Sequence, residues 1–265
     1  MFPLHTKTFP PTSAELAQLL NQSLSRVFFV NQDPVSLRGD FYPELELLDI
    51  NLDRAKLRPK PPRPPAVSGA RTAALQVREL RLKGSQLTIG PANADLRLRA
   101  RDVRLDQARD SAEEIVLVLQ SAAQGEVELS TRKSELEAAI AALASHEAGK
   151  QGVTIEDVSV TLRDRGPRSV SGEVQLKARK LFFSTVIRIA GNLDLDEQLN
   201  ATVSGLTCKG DGAIGTLACG VLSPHLQKLN GRTFPLMALP LGDVRLRDVR
   251  ISAADVITIS AEFGA

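Results

Sequence analysis

The chain has 265 residues, 43% of them apolar and 24% charged, with 33 basic against 31 acidic side chains. That balance is globular rather than disordered, and a chain this long can bury a core without metal or disulfide support. No Trp, one Tyr and a net charge of +2 leave neither the aromatic platforms nor the positive field that nucleic-acid binding draws on.

The opening residues, MFPLHTKTFPPTSAEL, hold no basic stretch followed by an apolar run of signal-peptide length. No stretch reaches the ~18 apolar residues of a membrane span. The expectation is a soluble, cytoplasmic protein with peripheral membrane contact allowed, periplasmic only if a leader precedes Met1. Residues 12–28 read as a helix: Thr12 or Ser13 can cap it, and Leu16, Leu19, Leu20, Leu24, Val27 and Phe28 form one apolar stripe. Strand-like alternation follows through Val35, Leu37, Gly39 and Phe41, then from Leu45 to Leu52. Residues 58–70, RPKPPRPPAVSGA, predict a stiff exposed loop. The strand pattern resumes beyond it, so it reads as an insertion within a single domain covering 1–265, with a PxxP ligand role left open.

Further strands are expected at 74–89, 94–106, 115–120 and 126–130. A second helix covers about 131–147, where Leu136, Ile140 and Leu143 share a face beside Ala139 and Ala144. Strands at 153–163, 170–183, 185–195 and 198–208 lead to a third helix at about 213–230. Its stripe is Ile214, Leu217, Val221, Leu222, Leu226 and Leu229, and Pro224 should kink or restart it. The last strands lie at 243–251 and 256–263.

One pattern repeats: apolar–x–apolar–x–acidic–apolar–x–apolar. It occurs as LELLDINL at 45–52, LQVRELRL at 75–82, LRARDVRL at 98–105, VTIEDVSV at 153–160 and VRLRDVRI at 244–251, with a looser copy, LKARKLFF, at 176–183. Alternation slips by one residue at the charged position. A strand with one buried face must absorb such a slip in a bulge or bend. Several bulges across one sheet would curve it strongly. With strands outnumbering helices, the expected class is α+β: a strongly curved antiparallel β-sheet wrapped around long α-helices.

Chemistry-bearing motifs are sparse. His5, His146 and His225 are scattered, and no nucleophile elbow, P-loop or C-x-x-C is present. Gly210-Asp211-Gly212-Ala213-Ile214-Gly215 matches G-x-G-x-x-G, yet its preceding strand is half polar and no acidic residue stands about 20 residues on. A tight glycine turn, a phosphate-headgroup contact at Gly210, Gly212 and Gly215, and a dinucleotide site are the readings left open. Arg78, Arg81, Arg97, Arg99, Arg101, Arg104, Arg245, Arg247 and Arg250 mark an arginine-rich face diluted by carboxylates. Cys208 and Cys219 are expected as free buried thiols, with a bridge between them allowed.

Three blocks carry a family resemblance: VSLRGDFYPELELLDINLDRAKL after the first helix; STRKSELEAAIAAL leading into GVTIEDVSVTL; and GTLACGVLSPHLQKLNG followed by LPLGDVRLRDVRISAADVITISAEFG. In layout and soft apolar motifs the chain resembles the bacterial domain-of-unknown-function family that includes the mycobacterial lipomannan elongation lipoprotein, and above all its cyanobacterial members. That family is similar to the tubular lipid-binding (TULIP, BPI-like) superfamily. The resemblance implies a curved sheet around long helices enclosing an apolar tunnel for acyl chains. It carries over no enzymatic residues.

The expectation is therefore a non-enzymatic protein without cofactor or metal that binds lipid, or another elongated apolar ligand, for transfer or sensing at a membrane surface. Its candidate lining is Leu16, Leu20, Leu24, Leu136, Ile140, Leu143, Leu217, Val221 and Leu226. The alternative is a structural or partner-binding protein with a filled core, acting through its Pro-rich loop or arginine-rich face. Patterning gives the apolar faces but not what fills the space between them.

Overall fold

The computed structural model describes residues 1–150, 152–180, 182–235 and 246–265. The first half of the chain runs β1 (Phe2–Pro3), α1 (Ser13–Val27), β2 (Phe28–Phe29), β3 (Val35–Arg38), β4 (Glu44–Asn51), β5 (Lys56–Leu57), β6 (Val67–Ile89), β7 (Ala92–Asp110), β8 (Ile115–Ser121) and β9 (Gln124–Arg132). The second half runs α2 (Lys133–Gly149), β10 (Thr154–Gly166), β11 (Ser169–Lys180), β12 (Phe183–Leu195), β13 (Asn200–Gly210), α3 (Gly212–Leu229), β14 (Thr233–Pro235), β15 (Leu246–Ala253) and β16 (Val256–Phe263). The class is α+β, dominated by sheet. Of the expected strand 243–251, the first three residues lie outside the described residues.

Two sheets divide the strands. The larger follows β15-β16-β9-β7-β6-β4-β3, with β1, β2, β5 and β8 attached at its margins. The smaller is the meander β10-β11-β12-β13-β14, antiparallel throughout. The expectation of uniformly antiparallel pairing needs one correction: β4 and β5 run parallel to β6. The connection through β5 and the proline-rich segment is long enough to carry the chain back before β6 begins, as a parallel pairing requires. That segment is also shorter than expected. Residues 67–70 already belong to β6, where Val67 pairs with Asp110, so the loop covers 58–66.

A register shift meets two of the five acidic positions, Asp157 and Asp248, whereas the β6–β7 register is the same on either side of Asp102. Asp102 takes φ +49° and Asp248 φ +47°. The β15–β16 register shifts between Arg247 and Arg250, and the β10–β11 register shifts between Ile155 and Asp157. At Asp49 and Glu79 the parallel ladder runs through without a shift. β4 absorbs its slip another way, by burying neighbours on both faces: Leu47 and Leu48 are both buried.

The main core lies between α1 and the larger sheet. Thr12 caps α1, its hydroxyl accepting the Glu15 amide at 3.2 Å. One face of the helix then delivers Leu16, Leu20 and Leu24, essentially solvent-free, into the buried cluster that also holds Leu48, Ile50, Val77, Val103 and Phe263. Phe263 fits because Gly125 lacks a Cβ: one built there would stand 2.2 Å from its ring.

Candidate functional site

The apolar face of the smaller sheet is set by register. Val158, Leu176 and Ile187 lie side by side, and Val160, Val174, Ile189 and Cys208 form the next row. Period two sends these to one face and Ser159, Gln175, Arg188 and Lys209 to the other. Two helices stand on the apolar face. α2 runs along β10, where the Glu137 carboxylate accepts the Val160 amide at 2.9 Å. α3 runs along β13 and β12. Leu176, Ile187 and Cys219 are buried between them, with Ile140, Ala144, Val174, Ile189, Ala218 and Leu222 half-buried around them.

The start of α3 is fixed by close approach rather than by ligand chemistry. A Cβ on Gly210 would stand 2.1 Å from the Gly215 carbonyl carbon, so helix and strand meet backbone to backbone only because both are glycine. Thr185 donates its hydroxyl to the Asp211 carbonyl at 2.9 Å, and Arg188 grips the Asp211 carboxylate at 2.8 and 3.3 Å. The helix start thus carries an anionic side chain, paired with Arg188, beside the amides that the headgroup reading of Gly210, Gly212 and Gly215 would use. Against the dinucleotide reading, β13 is antiparallel to both neighbours, whereas the fingerprint follows a parallel strand.

Cys208 and Cys219 form a disulfide, which corrects the expectation of free thiols. The physical reason is the same close approach. α3 doubles back over β13 with its buried face down, and that places Cys219 over Cys208 with Cα atoms 5.5 Å apart.

The nine predicted lining residues do not come together. Leu16, Leu20 and Leu24 are sealed in the main core and line no cavity. Leu136, Ile140 and Leu226 are half-buried. Leu143, Leu217 and Val221 are 62%, 72% and 70% exposed. The last three sit on apolar arcs that begin against the sheet and continue past it. Leu143 shares the α2 face of Ile140, and on α3 the arc passes from Cys219 and Leu222 through Ala218 to Val221 and Leu217. The smaller sheet thus carries α2 and α3 on its apolar face, and the two helices leave Leu143, Leu217 and Val221 uncovered.

A concavity of about 1000 Å³ elsewhere is polar. It gathers Asn31, Asp53, Gln86, Asn93, Asp95 and Glu135, among others, from the ends of six elements. Its carboxylates already have partners. Glu135 accepts from the Asn93 amide and side chain at 3.2 and 3.1 Å, and Asp95 accepts the Gln86 amide at 2.7 Å. Asp53 accepts the Ser85 amide at 2.9 Å, and that bond above all, with the Lys83 ammonium at 3.2 Å, holds its carboxyl below the usual range. No motif spans these scattered residues, so nothing in the sequence marks this cleft. Among the described residues, no group of side chains has metal-ligand spacing, and no helix is long and apolar enough to cross a membrane.

No family model, no curated protein and no solved structure matches the chain.

Proposed function

We propose that the protein is a non-enzymatic lipid-binding module that seats an acyl chain in a trough between α2 and α3, against the exposed Leu143, Leu217 and Val221. The observation that carries this reading is the exposure of Leu143, Leu217 and Val221 on helix faces continuous with buried apolar ones. Covering such a face with an acyl chain is worth roughly 0.8 kcal/mol per buried CH₂, so an apolar trough needs no polar anchor to bind. The resemblance to tubular lipid-binding proteins, with sheet curving around helices, supports the same reading. So do the bulges at Asp157 and Asp248, which bend the strands that contain them. The Cys208–Cys219 bridge favours an oxidising compartment over the cytoplasm expected from the sequence.

A second reading is favoured by one observation, the sealed environment of Leu16, Leu20 and Leu24. It takes the protein as a filled-core partner-binding module acting through the exposed loop 58–66 or the arginine-rich face. A fluorescent fatty acid separates the two. Saturable binding at one site per chain, weakened at least about tenfold by Leu217→Asp with Val221→Asp, supports the trough. Binding that ignores both substitutions overturns it.

A further inference from the structure

The most exposed large apolar side chain among the described residues is Phe182, at 96%, and its neighbour Phe183 is 60% exposed. Both stand at the tip of the β11–β12 hairpin, which closes with Lys180 opposite Phe183. Along β12, Phe183 falls on the same face as Thr185 and Ile187, the face that carries α3. The Thr185 hydroxyl lies 2.7 Å from where a Gly215 Cβ would be. The first turn of α3, with Ile214 39% exposed, therefore stands beside the tip and widens its apolar end.

Cations border these rings. Lys177, Arg179 and Lys180 lie on the arm leading into the tip. Two of them share one carboxylate, Glu156 of β10, at 3.9 and 3.1 Å. Asp157 faces Lys177 across the ladder. Lys180 stands beyond both carboxylates, nearest the rings, and the hairpin end keeps a positive excess.

We infer that this tip is a membrane anchor, which inserts Phe182 and Phe183 into the headgroup layer of an anionic bilayer while Lys177, Arg179 and Lys180 meet the lipid phosphates. Two rings on a turn a few residues wide offer far less than the ~800 Å² per partner of a stable protein interface. A bilayer asks for less: apolar side chains reaching about 5–10 Å below the headgroups, with cations at the surface. The inference goes beyond the trough and does not depend on what the trough holds.

Flotation with vesicles of phosphatidylcholine, alone or mixed with phosphatidylglycerol, tests it. The full chain should float with the mixed vesicles and not with the neutral ones, and should be released by salt. Phe182→Ser with Phe183→Ser should weaken this at least about tenfold. Lys177→Gln, Arg179→Gln and Lys180→Gln should each cost about fivefold. Both rings are exposed, so an unchanged circular dichroism spectrum should accompany the loss. Fatty-acid binding in solution should survive the tip substitutions, which separates this inference from the trough. Equal partitioning of the wild-type chain onto both vesicle types, or full flotation of the double Phe variant, overturns it. So does a wild-type dimer that the double Phe variant converts to monomer without any vesicle binding, since the tip would then meet a second copy.

Discussion

Tyr42 is the one tyrosine of a chain without Trp, which makes it an optical reporter of its own surroundings. Its hydroxyl donates to the Pro10 carbonyl at 2.6 Å. Burial first, and the Glu15 carboxylate second, push its pKa up to about 12. A group raised on folding contributes stability that is whole below its unfolded pKa, about 10 for tyrosine, and that is lost as pH rises through the folded value. The tyrosinate absorbance should therefore appear near pH 12 in the native protein and near pH 10 in denaturant, with stability falling between the two; coincident midpoints would contradict this burial. Leucines separate by place in the same way. Leu24→Ala should cost about 2–5 kcal/mol in denaturant unfolding, and Leu217→Ala less than about 0.5 kcal/mol, although both came from equally regular stripes. The α1 stripe was legible because it matches the width of the face that packs. Leu217 and Val221 were not, because the apolar arc of α3 is wider than the side resting on the sheet, and periodicity records the arc without its contacts.

α3 holds to the molecule at few points. Only Gly215 and Cys219 are buried along it, and the Gly210–Gly215 contact and the disulfide fasten it to β13. With a sequence separation of 11 between the two cysteines, the bridge is worth about 3 kcal/mol by loop-closure entropy. Cys208→Ser with Cys219→Ser should lower unfolding stability by about that amount. Amide exchange in α3 should quicken well before that in α1; uniform exchange across both helices would contradict the fastening. The bridge escaped the sequence because two cysteines at this spacing pair only if the helix folds straight back over its strand, which the close Gly210–Gly215 approach decides. Strand existence was largely legible from alternation. The direction of β4 against β6 was not, since pairing sense depends on how the intervening segment returns.

Across the whole molecule, the two sheets handle their apolar faces differently. The larger closes over α1 with leucines and Phe263 fully buried. The smaller leaves its helices half seated, with apolar rims in solvent. Nine residues expected to line one tunnel therefore divide between a closed core and half-buried or exposed helix faces, because stripes on separate helices carry no record of which sheet each helix meets. The most direct measurement is native mass spectrometry of the intact chain after incubation with an excess of a single phospholipid. An adduct near one lipid per chain, lost in the Leu217→Asp, Val221→Asp variant and kept in the Leu24→Ala variant, is the predicted result. A bare protein mass after that incubation would contradict a lipid-binding trough.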